Sequence, residues 1–309
     1  MNRSLRKIFE EAPRRATVVD VSARDGLQAE PVVLTPERRA AWVRAVLSAG
    51  VPEVEAASFV SPSRVPQMAG AARVLAELAD VADRLWVLVP NRTGAEQALE
   101  AGARNLVCVV SATETHSEEN LGRSTAQVLS DLEKMVPLLR EARVRSRAAV
   151  SMAWVDPVEG IVPRRQVLDL CSRLTAMGFE ELTLCDTHGG ASPRGVSELI
   201  EELKAVAPPE ALGLHLHDTF GAAGANALMG LLLGVTRLDA SLAGLGGCPF
   251  APGARGNIAT EQLVHLLHSL SVGTGISEEA LREVRDECLR QLGDDRARRL
   301  PRRGPPGLL

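Results

Sequence analysis

Residues 212–217 read LGLHLH, and the histidines that close the run, His215 and His217, stand two positions apart. In an extended strand, positions i and i+2 project to the same side about 6.6 Å apart, so both imidazoles enter one space. Other apolar runs also end in groups capable of chemistry. TVVDVS at 17–22 leads into Arg24 and Asp25, EVEAAS at 53–58 carries Glu55, and ELTLCD at 181–186 ends in Asp186. Two imidazoles converging with a carboxylate such as Asp25 make a site for a divalent metal. Imidazole with carboxylate, amide oxygen and water suits an octahedral Mg2+ or Mn2+, whereas a closed tetrahedral zinc site wants thiolates or a third histidine. A His-x-His pair alone serves a protein core as readily as a metal; the carboxylate at a second strand end is what favours the metal.

The stretch LAGLGGCPFAPGARGNIATE at 242–261 sets five glycines and two prolines around Cys248, ahead of Asn257 and of Thr260, read as the cap of the next helix. It is expected to form a mobile loop. A cysteine held near a metal or cation reaches its thiolate near neutral pH and can serve as an acid or base; an incidental loop cysteine is the alternative. Asn257 either supplies an amide oxygen to the metal or satisfies backbone groups of the loop.

These groups need elements that bring them to one place. RLWVLV at 84–89, NLVCVV at 105–110, RAAVSMA at 147–153 and RLDASLAG at 237–244 join the four runs above to make eight strand candidates. Helical patterns separate them, among them one opened by Thr35 and Pro36 and another by Ser192 and Pro193, each pair being a cap followed by proline at the first helical position. Eight βα units over roughly 250 residues predict a (β/α)8 TIM barrel, whose active residues sit at the C-terminal strand ends. An open doubly wound sheet is the competing architecture, but no glycine-rich dinucleotide fingerprint follows any strand. The barrel is assigned to residues 1–276, and 277–309 to an appended helix, SEEALREVRDECLRQL, and a basic tail expected to be disordered.

A chain of 309 residues with 45% apolar content can fill one large core, and its net charge of −4 does not build a surface for nucleic acid or an anionic membrane. No apolar run reaches membrane-spanning length, and the N-terminal residues lack the apolar stretch of a secretion signal. Five cysteines, odd in number and without close pairs, suit a reducing cytoplasm, the expected location. The amphipathic C-terminal helix makes a homodimer the expected assembly.

Several motifs carry a resemblance that spacing alone does not. RDGLQ (24–28), SFVSP (58–62), VPQM (65–68), Asp186-Thr187 with Gly189, HDT with Gly221 after the His-x-His, AGLGGCP (243–249) and Gly256-Asn257 followed by ATE (259–261) make the chain similar, over about 17–276, to the 3-hydroxy-3-methylglutaryl-CoA lyases of the DRE-TIM metallolyase superfamily. The resemblance implies a divalent-metal carbon–carbon lyase acting on an acyl-CoA thioester. In that reading Asp25, His215, His217 and Asn257 are metal ligands, Arg24 stabilises substrate and enolate oxygens, Cys248 is the loop acid, and Glu55 and Asp186 are further catalytic carboxylates. Such cleavage must take a proton from a tertiary hydroxyl and hold the departing carbanion as a thioester enolate. The base is left open between Asp186 and a water at the metal. Gln28, Asn120, Thr187 and His188 are candidate substrate contacts.

The chain also departs from the family pattern. It reads CDTHG where GDTIG is usual, SMAWVDPVEG in place of a cysteine-containing loop after strand 5, ATETHSEENLG after strand 4 with Glu118 and Glu119 beside a retained Asn120, and Ala23 in place of a proline. These changes touch the barrel mouth and spare the metal set, so cleavage of a 3-hydroxyacyl thioester is better supported than any one acyl group. His188 is expected to share the side of the strand end that bears Asp186, provided extended geometry persists, and to shift acyl preference. Two alternatives are a Claisen-condensing acyltransferase using acetyl-CoA and a 2-oxo acid, usually with a long C-terminal region, and a non-catalytic metal-binding paralogue.

Overall fold

The structure is a computed structural model and describes residues 10–247 and 256–293. Strands β1 (Thr17–Asp20), β2 (Glu53–Ser58), β3 (Leu85–Val89), β4 (Asn105–Ser111), β5 (Arg145–Ser151), β6 (Glu181–Asp186), β7 (Leu212–Leu216) and β8 (Arg237–Ala240) run parallel and close on themselves, β8 pairing with β1. Each is followed by a helix: α1 (Pro36–Ser48), α2 (Ala71–Glu77), α3 (Arg92–Glu100), α4 (Thr125–Glu141), α5 (Arg164–Met177), α6 (Pro193–Leu203), α7 (Ala223–Leu232) and α8 (Thr260–Ser269). This is the TIM barrel expected, and the open sheet is excluded by the β1–β8 pairing. The helix starts follow their caps: Thr35 Oγ1 accepts from Arg38 N at 3.3 Å and Ser192 Oγ from Gly195 N at 3.1 Å. Thr260 does not cap; Ala259 is the N-cap of α8, and the Thr260 hydroxyl instead donates to Asp20 Oδ2 at 2.6 Å.

The main apolar core lies between strands and helices, while the barrel interior is part apolar and part charged. Val19, Val21, Trp86, Leu88 and Val107 form a small inner cluster. Trp86 carries the guanidinium carbons of Arg145 and Arg147 4.9 Å from its ring centroid, an arrangement that exploits the negative face of the indole. Arg237, tied to Glu53 and to Glu181 at 2.9 Å, continues this charged filling.

Several strand ends fall earlier than the apolar runs suggest. The first run extends to Ser22, yet β1 stops at Asp20, because the buried Asp20 carboxylate draws in the Ser22 amide (2.9 Å) and hydroxyl and folds Ser22–Gly26 into a π-helical turn. Arg24 and Asp25 therefore sit on a turn and not on a strand. The run at 237–244 ends at Ala240, where Ser241 bridges to Ala259 and Ala243 takes a positive φ of 56°. After β6 the chain turns at once, with Gly189 N donating to Asp186 O at 3.0 Å, so extended geometry does not persist to His188. The loop after β5 holds an antiparallel hairpin, Val155–Asp156 with Gly160–Ile161, that the sequence reading did not include.

Helix α9 (Glu278–Gln291) packs its apolar residues Leu281, Cys288 and Leu289 onto the barrel, and Ser277 N donates to Ala49 O at 2.9 Å. Its apolar face is thereby used within the chain, which removes the support it lent to a homodimer. Among the described residues no helix is long and apolar enough to cross a membrane.

Candidate active site

The π-turn after β1, the end of β7 and the segment beyond β8 meet at the C-terminal mouth of the barrel. Asp25, His215 and His217 each offer a ligand atom within 4.8 Å of the others. The i, i+2 expectation holds: His215 Nε2 and His217 Nε2 are 3.3 Å apart. His217 lies one residue past β7, held by a bridge to Asn257, with Ile258 N donating to Leu216 O at 2.9 Å and Asp218 N to Gly256 O at 2.8 Å. The same pairing sets Asn257 against Asp25: its Nδ2 donates to Asp25 Oδ2 at 2.8 Å and to Leu245 O at 3.0 Å. Both partners are acceptors, so the amide orientation is determined, and the buried Oδ1 is left as an acceptor with no protein partner. That orphaned oxygen, beside two facing imidazole nitrogens and a carboxylate, fits a hard divalent cation.

Arg24 links this group to the barrel interior. Its Nη1 donates to Asp25 Oδ1 at 2.7 Å and its Nε to Glu55, while Nη2 has no protein partner among the described residues. Glu55 in turn accepts from Arg147 Nη2 at 3.0 Å; Arg147 Nη1 donates to Asp239 Oδ1 at 3.1 Å, and Asp239 Oδ2 lies 3.3 Å from His215 Nδ1. The chain of contacts thus closes on itself, from Arg24 through Glu55, Arg147, Asp239 and His215 back to Asp25. Asp239 is the group that orients a ligating imidazole by taking its second N–H. Gln28 Nε2 reaches Asp25 Oδ1 at 3.4 Å.

The electrostatics follow from this arrangement. Burial alone would raise the Asp25 carboxyl, but Arg24, His215, His217 and the Asn257 amide hold it well below the usual carboxylate range. Burial, reinforced by the charge of His215, lowers His217 to about 4 and keeps its nitrogens free at neutral pH. Burial also pulls His215 down, yet the Asp239 hydrogen bond and the charges of Asp25 and Asp239 outweigh it, so His215 is raised. Three carboxylates facing two guanidiniums leave the pocket short of positive charge.

The other expected residues stand apart from this cluster. Asp186 is buried, with both oxygens accepting from Ala191 N at 3.2 and 3.1 Å, and burial pushes its carboxyl up to about 6 against those backbone bonds. Thr187 Oγ1 accepts from Met152 N at 3.1 Å and so pins the loop after β5. Asn120 is exposed on a turn, Ser117–Leu121. His188 packs its ring edge against Phe220, centroids 5.6 Å apart. Cys248 lies outside the described residues. Arg147 and Asp239 were not among the expected site residues; each is a charged residue inside an otherwise apolar strand run, which is the signal that points to a barrel interior.

A family model described as HMGL-like matches residues 15–287. The hydroxymethylglutaryl-CoA lyase of Pseudomonas mevalonii is 40% identical over 280 residues, 89% of this chain and 92% of that protein. The (R)-citramalyl-CoA lyase of Chloroflexus aurantiacus is 38% identical over 288 residues, covering 90% of this chain and 91% of the relative. The structure of an HMG-CoA lyase from Acinetobacter baumannii in complex with coenzyme A and 3-methylmalate superposes with a TM-score of 0.89 at 33% identity, over 96% of this chain and 97% of that one.

Proposed function

The chain belongs to the HMGL-like family, and from that premise we propose its reaction: cleavage of 3-hydroxy-3-methylglutaryl-CoA, or a close 3-hydroxyacyl-CoA analogue, to acetyl-CoA and a 3-oxo acid such as acetoacetate. It is a carbon–carbon lyase. The observation that carries the reading is the convergence of Asp25, His215 and His217 within 4.8 Å, beside the one arginine edge that the network leaves unbonded.

Asp25, His215, His217 and Asn257 are the residues that would hold Mg2+ or Mn2+, supported by their chemistry and by the orphaned Asn257 oxygen. When bound, such an ion supplies Lewis acidity at the substrate hydroxyl. Arg24 Nη2 points its donors to the place where negative charge develops as the C2–C3 bond breaks, with Asp25 and Glu55 fixing the guanidinium so that no reorganisation is needed. Asp186, poised at about 6, suits a base that is ionised at neutral pH yet able to carry the hydroxyl proton. Protonation of the enolate carbon falls to Cys248 by family resemblance. The buried, unpaired cysteines Cys108, Cys171, Cys185 and Cys288 accord with a reducing compartment.

The test is release of acetyl-CoA from synthetic 3-hydroxy-3-methylglutaryl-CoA with and without added Mg2+ or Mn2+. Metal-dependent release supports the reading. A metal-loaded protein that binds the ion yet releases no acetyl-CoA from any 3-hydroxyacyl-CoA overturns it.

A further inference from the structure

One polar atom at the mouth has no use in the reaction just described. His188 Nδ1 is buried without a hydrogen-bond partner, although the turn that carries it follows directly from the end of β6. Three surfaces fix the ring. Phe220, from the loop after β7, meets it edge-on at 68°. Val155, from the hairpin after β5, and the His188 Cδ2 atom both lie 3.2 Å from the place where Gly190 would carry a Cβ, so only glycine lets these two loops close on the imidazole. The ring is near enough to His217 to act on it electrostatically, which puts it on the metal side of the loop. Phe220 itself is 68% exposed, an uncovered aromatic beside a desolvated nitrogen. A wall with one unsatisfied polar atom framed by apolar side chains is what a ligand group of mixed character completes, because a buried nitrogen left unpaired forfeits its hydrogen bond to water.

We propose that His188 is a specificity-determining residue whose Nδ1 hydrogen-bonds a hydroxyl on the C3 branch of the acyl group. This rests on the lyase reading above and names its substrate class: 3-hydroxyacyl thioesters with a hydroxylated branch. A hydroxyl is preferred to a second carboxylate for two reasons. It satisfies Nδ1 in either imidazole tautomer, being both donor and acceptor, and it adds no charge to a mouth where carboxylates already outnumber guanidiniums.

The experiment compares kcat/KM for two isosteric probes, 3-hydroxy-3-(hydroxymethyl)glutaryl-CoA and 3-ethyl-3-hydroxyglutaryl-CoA, with 3-hydroxy-3-methylglutaryl-CoA as reference. The parent protein should favour the hydroxymethyl probe, and His188→Leu should cut the hydroxymethyl-to-ethyl ratio by about 5- to 150-fold, the range for losing one buried hydrogen bond. His188→Asn, whose amide nitrogen superposes on Nδ1, should retain the ratio, and His188→Gln, whose amide reaches the Nε2 position, should not. The Asn and Gln pair decides the matter even if His188→Leu fails to fold. A parent that cleaves the reference but shows no hydroxymethyl preference, a His188→Leu protein with an unchanged ratio, or rescue by Gln and not Asn overturns the assignment of His188 alone. A parent that cleaves none of the three overturns the lyase reading and this inference with it.

Discussion

Arg24 spends two of its donor groups on Asp25 and Glu55 and keeps Nη2 for an oxygen that the protein does not supply. A donor that meets charge mainly in the transition state acts on kcat more than on KM. Arg24→Met is therefore expected to lower kcat by about 10²–10³-fold with a smaller change in KM, the loss typical of one oxyanion donor; steady-state kinetics check it, and an unchanged kcat would make Arg24 a structural ion-pair partner. Asp186 makes a second prediction through its pKa. Burial raises it to about 6, and a base must be ionised, so activity should rise as pH climbs through that region and fall below it as the carboxyl takes up its proton. A nearby divalent cation would move this limb downward, never upward. The pH profile of kcat/KM should lose its acid limb in Asp186→Asn; a limb that survives the substitution belongs to another group.

Turns more than strands carry the site, and they are held by contacts distant in sequence. Asp20 stops β1 and gathers Ser22 and Thr260, while residues 256–258 lie against 216–218, bringing Asn257 to Asp25. Gly246 makes this possible: its φ is +107°, and a Cβ there would stand 2.6 Å from Asn257 Nδ2 and 3.3 Å from Asp25 Oδ2. Gly246→Ala should thus displace two members of the ligand set at once and weaken Mn2+ binding by more than about 10-fold, read by metal titration. On β8, Asp239→Asn keeps the shape but cannot accept as a carboxylate from His215 and Arg147. Mn2+ affinity should fall about 10–100-fold, the usual effect of removing a group that orients a ligating imidazole; unaltered affinity would show that Asp239 serves only to neutralise Arg147.

At the scale of the whole molecule, the barrel gathers an excess of negative charge at one end, and a cation bound there should stabilise the fold. Anything that binds the native state alone adds about 2.7 kcal/mol at 100 times its Kd, a rise of several degrees in Tm for a chain of this size. Mn2+ should raise Tm of the chelator-stripped protein accordingly, and His217→Ala should abolish the rise. Calorimetry with and without the ion measures it, and a rise that persists in His217→Ala would locate the binding elsewhere.

Alternation of β-branched runs with capped helices already specified eight βα units, because period and punctuation are local properties of a chain. The ligand residues were legible for the same reason: His215 and His217 share a strand, and their side-chain direction follows from its pleat. Strand ends were less legible, since β1 stops where Asp20 receives a hydrogen bond from Thr260, 240 positions away in sequence. The roles of Arg147 and Asp239 were hidden as well. Their strands read as ordinary core segments until barrel closure set Asp239 beside His215 and carried Arg147 across the interior to reach both Asp239 and Glu55. What the sequence determined by itself was which elements form and which side chains can bind a cation. Tertiary structure alone decided which buried charges face one another, because that depends on the closure of a sheet whose partners meet only in space.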